Sequence, residues 1–468
     1  MRPLSEINPK LRTYLGVFLP LILWGALWLS LSPGQFENIY SPNSPTSFFN
    51  GLRSAFPFVT LFLGLVLIIY KLSQRVSGGI HISNPLAMMT VYGLIGLVAT
   101  LNSPDVGIAF RWALLYLSVP VVLWAIVWGS DASIILARLI NITWVVIAVA
   151  SVVLFFIALT KLSFIDQIME PSLLLECGSG GWYDMTSGKL RDTGVGRYAA
   201  IASLISISGL WQPRWRLLAA VILIFSVTLL LFSGARGAFV GFTVGAVLMI
   251  ALYGGKKSML IMAVVAVLFI ISLLGTSTGE KFLDVCLLRS TTPSSQIPSS
   301  LESQPLRIPE QSSTQPPRSS VTGQLPLSQF FEFTGRTAVW KEGIRMVGDS
   351  PAIGYGFHAD RLKLGTHMHN SIMQSLIQAG ILGMIAFVIA IALGWFQVIK
   401  ISQNLNQLLP IHKHLAIQSI SVLGFFSLRS FPESTGAFFG VDLLILCTIL
   451  LFIHVLSRMP KVEIPGSN

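Results

Sequence analysis

Apolar stretches with few or no charged residues recur along almost the whole of this 468-residue chain. Each approaches the roughly 20 residues that an α-helix needs to cross a hydrocarbon core. They lie at about 14 to 32, 55 to 71, 85 to 101, 107 to 128, 140 to 160, 198 to 212, 217 to 233, 238 to 255, 258 to 275, 376 to 399, 414 to 429 and 435 to 456. This pattern predicts an all-α polytopic membrane protein of about twelve spans. Hydrophobic residues make up 53% and charged residues 11%, with mean hydropathy +0.73, which excludes a soluble domain of ordinary composition.

Lysines and arginines in short loops stay cytoplasmic, so their distribution orients the spans. Arg2, Lys10 and Arg12 precede the first span, and Lys71 and Arg75 follow the second. Arg138, Arg214, Arg216, Lys256, Lys257, Lys400, Lys413, Arg458 and Lys461 fall on the same side. Both termini are therefore expected in the cytoplasm. The net charge of +11 needs no nucleic acid to explain it, because the remaining cations lie mostly in the two long outer segments, 161 to 197 and 276 to 375. The first span has a basic leader but no convincing cleavage site, and reads as a retained anchor. Cys177 and Cys286 both fall in outer segments, as a bridge or as two unpaired thiols, while Cys447 lies within the last span.

Three blocks follow: 1–189, five spans with an outer loop; 190–435, the core with the long loop between the ninth and tenth spans; and 436–468, the last span and tail. Within that loop, 290–328 is rich in Ser, Pro, Gln and Thr, a composition expected to be disordered. From Phe330 apolar residues return, and Trp340, Ile344 and Val347 share a helical face, predicting an interfacial helix that ends at Asp349-Ser350-Pro351. Gly354 and Gly356 permit a tight turn, after which Asn370 or Ser371 can cap the next helix, with His369 just outside it.

The outward ends of the spans collect Arg191, Arg197, Arg236, Arg336, His367, His369, Arg429 and Glu433. Guanidinium groups suit pyrophosphate, since they stay charged and grip two oxygens at once. A histidine beside them can take a proton from a sugar hydroxyl near neutral pH. Each residue also has a plainer reading. Arg236, in a tight hairpin, can snorkel to headgroups; Arg191 and Arg197 can simply end a loop at the water interface. His367 and His369 can be structural, Arg336 can pair with Glu332, and Arg429 can pair with Glu433.

Taken in order, Arg191 to Arg197, Ser233-Gly234-Ala235-Arg236-Gly237, Gly335-Arg336 with Trp340, and His369-Asn370-Ser371 running into an apolar helix resemble the O-antigen ligase and polymerase superfamily over roughly residues 190 to 435. The resemblance implies a GT-C-like membrane glycosyltransferase that uses glycans carried on undecaprenyl pyrophosphate, in the cytoplasmic (inner) membrane with its active site on the extracytoplasmic face. It assigns His369 the catalytic position, supported by Asn370, and Arg236, Arg336, Arg197 and Arg191 the donor pyrophosphate. Arg197 is favoured over Arg191 for its nearness to the membrane. The usual small-Asn element before this span is replaced by Tyr198-Ala199-Ala200. No cofactor or metal is implied, and the acceptor is a hydroxyl of a glycan, lipid or protein.

No phosphate loop, His-Glu-x-x-His, Cys-x-x-Cys or Asp-x-Asp motif is found. Asp442 and Arg111 lie in or near spans, where ionisable groups are costly. Two further classes remain: a transporter, for instance of bicarbonate, and a non-catalytic scaffold of envelope assembly. The sequence shows no midplane pair of ionisable groups or duplicated broken helix of the kind transport sites use.

Overall fold

The computed structural model describes residues 18–31, 45–73, 84–127, 132–167, 182–185, 188–190, 192–233, 235–254 and 336–459. The expected span at 258–275, the Ser/Pro-rich stretch, Arg191, Glu332, Cys177 and Cys286 lie outside these residues.

The described chain is almost entirely helical. In order it forms α1 (Leu19–Ser30), α2 (Pro45–Ser73), α3 (Pro85–Val98), α4 (Val106–Val127) and α5 (Ala132–Gln167). A short two-stranded antiparallel ribbon follows, β1 (Trp182–Met185) and β2 (Gly188–Leu190), too small to change the all-α class. Then come α6 (Asp192–Gly209), α7 (Arg216–Phe232), α8 (Arg236–Tyr253), α9 (Arg336–Val347), α10 (Ala359–Leu364), α11 (Ser371–Ser402), α12 (Pro410–Arg429) and α13 (Val441–Leu456). Five helical stretches are long and apolar enough to cross a membrane: 54–73, 85–102, 106–127, 132–157 and 371–402. Four more, at 19–30, 216–231, 237–253 and 441–456, are apolar but shorter. The protein is thus a multi-pass helical membrane protein.

Every residue of α13 except Val455 is buried, as a helix apolar on all sides requires. It packs against α3, α4, α5, α11 and α12. The last span was expected from residue 435, but 435–440 is an irregular loop and the helix starts at Val441. Around this axis α11 packs on α3, α12 on α8, and α8 in turn on α6. Polar contacts fix the join: the Tyr92 hydroxyl of α3 lies 2.8 Å from both Gln378 Oε1 on α11 and Ala437 O in the 430–440 loop.

The long helix α11 is broken at Ala379 and at Gly380, whose φ of 62° and ψ of −167° are accessible only to glycine. A break inside an apolar helix frees backbone groups that lipid cannot satisfy. Here the segment 351–356 supplies four partners. Tyr355 N–H donates to Ile377 O (2.9 Å) and Gly356 N–H to Gln378 O (2.9 Å), while Ile381 and Leu382 donate to Pro351 O (2.8 Å) and Ala352 O (3.1 Å). The continuous apolar run at 376 to 399 gave no sign of this interruption.

A Cβ at Gly380 would overlap the Ala352 carbonyl and the Ile353 nitrogen, both of them backbone. Gly380→Ala is therefore expected to leave little folded protein in the membrane. Wild-type amounts of monodisperse protein on size-exclusion chromatography would contradict the break.

Helix α9 packs on α10 and α11, with a face that differs from the expected one. Val339, Trp340, Met346 and Val347 pack with Tyr355, Ala359, Met368 and Ile377, whereas Ile344 is 55% exposed. Gly343 explains the rotation. A Cβ there would meet the Met368 and Ile377 side chains within 2.5 to 2.9 Å, so the helix seats closely at its glycine.

Candidate functional site

The loop 430–440, between α12 and α13, gathers the residues singled out from sequence. Arg336, the first residue of α9, donates from Nη1 to Pro432 O (2.8 Å) and holds Nη2 3.8 Å from Glu433 Oε1. His369 Nδ1 lies 3.7 Å from Glu433 Oε2. One carboxylate thus faces both Arg336 and His369.

His369 is positioned by backbone chemistry. Of the two caps the sequence allowed, Asn370 takes the role, its Oδ1 accepting from Ile372 N (2.9 Å) and Met373 N (3.0 Å). Its Nδ2 donates to Phe431 O (3.1 Å). Ser371 N–H donates to Ser430 O (2.9 Å), and the Ser371 hydroxyl is 3.0 Å from both Glu433 O and Thr435 O. The residue before the cap must then turn sharply, and His369 adopts φ 48°, a left-handed conformation uncommon for a side chain of this kind. Such strain is held only where the surroundings over-determine it. The ring remains 30% exposed and so can meet a substrate.

Arg197 and Arg429 lie deeper, on either side of Asp442 in the first turn of α13. Arg429 donates to Asp442 Oδ2 at 2.6 Å, and Arg197 to Oδ1 at 3.1 Å. The Arg429–Glu433 ion pair expected from sequence is therefore replaced by Arg429–Asp442, and Glu433 turns to His369 and Arg336. Arg336 takes Glu433 as an ion-pair partner. The Arg197 Nε–H is buried and finds no acceptor.

Arg236 opens α8, and only its backbone is described. Its neighbours place that helix end at the same loop: a Cβ on Gly237 would sit 3.1 Å from Pro432, and one on Gly196 2.5 Å from Ala235. The N-terminal ends of α6, α8, α9, α11 and α13 therefore gather around 430–440. Each helix start carries partial positive charge. Arg197, Arg336 and Arg429 outnumber Glu433 and Asp442, so the place favours an anion even before Arg236 is counted.

Glu433 lies outside the spanning helices. Burial works to raise its pKa, yet pairing with His369 and the charges of Arg429, His369 and Arg336 hold it below the ordinary glutamate value. A carboxylate depressed in the folded state stabilises the fold above its unfolded pKa, and that support is lost as pH falls through the folded value. Thermal stability in detergent is thus expected to drop as pH falls below about 4.5, the ordinary value, and Glu433→Gln to flatten that decline. An unchanged acid slope in the variant would argue against the pairing.

Sequence reasoning undervalued Glu433, giving it Arg429 as its only partner. His358 stacks on Trp112 (centroids 4.9 Å, planes 5° apart), and burial, then the charge of Arg361, push it down to about 4. His367 lies beside Arg361 and Asp360. The clue to Glu433 was its place, an acid in an outer turn opposite two histidines.

No curated protein matches the chain. Residues 218–388 match the family model described as O-Antigen ligase. The match includes Arg236, Arg336, His369 and Asn370 and stops short of Arg197, Glu433 and Asp442. Over that segment, which is less than half of the chain, it is similar to the O-antigen ligase family.

Proposed function

We propose that this protein is a glycosyltransferase of GT-C type that moves or polymerises a glycan from undecaprenyl pyrophosphate onto a hydroxyl acceptor at the extracytoplasmic face of the cytoplasmic membrane. The observation that carries the reading is the gathering of Arg336, His369 and Glu433 at one loop, beside the α8 end that bears Arg236.

In this reading the acceptor O–H gives its proton to His369 while its oxygen bonds to the anomeric carbon. The bond from that carbon to the pyrophosphate oxygen breaks, and the electron pair leaves with undecaprenyl pyrophosphate. A single displacement inverts the anomeric centre. Glu433 orients the imidazole and steadies the charge that develops on it, as a carboxylate behind a general base does. Arg336, Arg236 and Arg197 meet the charge on the leaving group, and the helix starts add to them. Neither the proton transfer nor the anion binding calls for a metal. Arg191 stays an alternative donor contact.

The transporter reading loses support from the fold. Transport folds use backbone groups of broken helices to hold ions, but the carbonyls of Ile377 and Gln378 freed in α11 are taken by Tyr355 and Gly356.

Purified protein incubated with an undecaprenyl-pyrophosphate glycan and a panel of glycan and lipid acceptors should release free undecaprenyl pyrophosphate. A product ladder would mark a polymerase and a single addition a ligase. Folded protein that releases nothing with any acceptor would overturn the proposal.

A further inference from the structure

The end of the bundle opposite the loop 430–440 carries cations that the transferase reading does not use. From Arg197, which pairs with Asp442, α6 runs about 18 Å further to Gly209, at 1.5 Å per residue, and the turn 210–215 leads into α7. Helix α4 likewise leaves the site, where Trp112 stacks on His358, and ends at Val127, with residues 128–131 joining it to α5. The starts of α5 and α7 therefore lie at this far end.

Arg138 in the second turn of α5, and Arg214 and Arg216 at the start of α7, are all exposed there. None of the three belongs to an ion pair among the described residues, and Arg216 gives its Nε–H to Leu210 O (3.2 Å). Other cations of the same end are committed. Lys71 donates to Ala125 O (2.6 Å), Lys413 donates to Asn406 Oδ1 (2.7 Å), and Lys400 lies over the Phe396 ring (4.5 Å). Guanidinium groups without a counter-charge create a positive potential that draws an anion.

The surface beside them identifies that anion. On α5, Arg138 stands between Ile134 and Ile142 at helical spacing, with Val145 next on the same face; on α7, Leu217, Val221 and Ile224 form a second stripe, and all six apolar side chains are exposed. The two helices pack together further along, where Ser151 and Ser226 lie 3.1 Å apart and Phe155 stacks on Phe225 (centroids 4.8 Å). Each apolar stripe is thus headed by arginine, and the helices that carry them share one seam. Trp215, 50% exposed with the Arg214 guanidinium 5.5 Å from its ring centre, is a side chain typical of a membrane–water boundary.

An acidic protein or a nucleic acid would meet the guanidinium groups and leave the stripes uncovered. A phospholipid meets both, with its phosphate at the arginines and its acyl chains along the stripes, and basic places between membrane helices suit anionic headgroups. We propose that the seam between α5 and α7 binds an anionic phospholipid whose phosphate is held by Arg138, Arg214 and Arg216. The site lies at the other end of the bundle from His369, and the proposal does not rest on the transferase reading.

Native mass spectrometry of the full chain in detergent, with phosphatidylglycerol or phosphatidylcholine added, should show phosphatidylglycerol retained roughly tenfold better. Arg138→Gln with Arg214→Gln and Arg216→Gln should remove the preference. The equal charge change Lys400→Gln with Lys413→Gln and Arg458→Gln should keep it. Because losing the arginines can disturb insertion, a second measurement uses the unaltered protein. Phosphatidylglycerol with a photoreactive acyl chain should label residues 134–149 and 217–224 in preference to the exposed stripe of α2 that includes Phe62 and Ile69, and photoreactive phosphatidylcholine should show no such bias. Equal retention of the two lipids, an equal loss of preference in the second variant, equal labelling of α2, or displacement of the lipid by inorganic phosphate overturns the site.

Discussion

His369→Ala is expected to lower release of undecaprenyl pyrophosphate by roughly 10²–10⁴-fold, the usual contribution of a positioned general base. His369 is the imidazole that combines a carboxylate partner, an exposed ring and a place at the mouth of a helix start. Because Ala tolerates a left-handed backbone poorly, His369→Asn serves as a second variant, since Asn adopts that conformation more readily. Both should stay folded and inactive. His367→Ala should retain most of the release, since His367 lies beside Arg361 and Asp360 rather than against Glu433. Full release by either His369 variant would remove it from the chemistry, and a collapse of turnover in the His367 variant would exchange their roles.

The second large effect is on stability. Asp442→Ala leaves the guanidinium groups of Arg197 and Arg429 facing each other in a buried site, and breaking a buried ionic group in this way costs about 3–5 kcal/mol. The variant should unfold in detergent at markedly lower temperature than wild type, or fail to accumulate. Replacing all three groups by apolar residues of similar size, Asp442→Leu with Arg197→Met and Arg429→Met, should recover most of the lost stability, because the desolvation penalty disappears with the charges. Transfer should not recover, since Arg197 is assigned to the donor. A stable Asp442→Ala protein would show that the trio is open to water, and an active triple variant would make the pairing purely structural.

Much of the helical scaffold was legible in the chain because apolar residues gather into runs that water will not hold. The cap at Asn370 was legible for a local reason: its partners are Ile372 and Met373. What could not be read depended on distant partners or on missing side chains. Asp442 answers an arginine 245 residues earlier, and no local spacing reveals that. Arg429 and Glu433 stand at helical spacing, but α12 ends at Arg429, so the two do not share a helix face. The seating of α9 at Gly343 escaped the apolar pattern because the residue that faces inward has no side chain to count. The break at Gly380 was hidden for the opposite reason, a run so evenly apolar that one glycine made no mark. The arginine in its small-residue hairpin and the His-Asn pair could be singled out from local motifs, whereas the pairing of Glu433 with His369 and Arg336 could not be read from them.

The cap of α11 also has a consequence for how the protein is made. Asn370 and Ser371 are anchored by Phe431, Glu433 and Thr435, which leave the ribosome some sixty residues after them. His369 therefore has no Glu433 partner until the chain beyond α12 has been made and has folded back. A half-synthesised molecule already displays its arginines, yet holds an unaimed imidazole. In the proposed transferase the general base would thus be completed only with the last part of the polypeptide, so a nascent chain still in the insertion machinery would not consume donor.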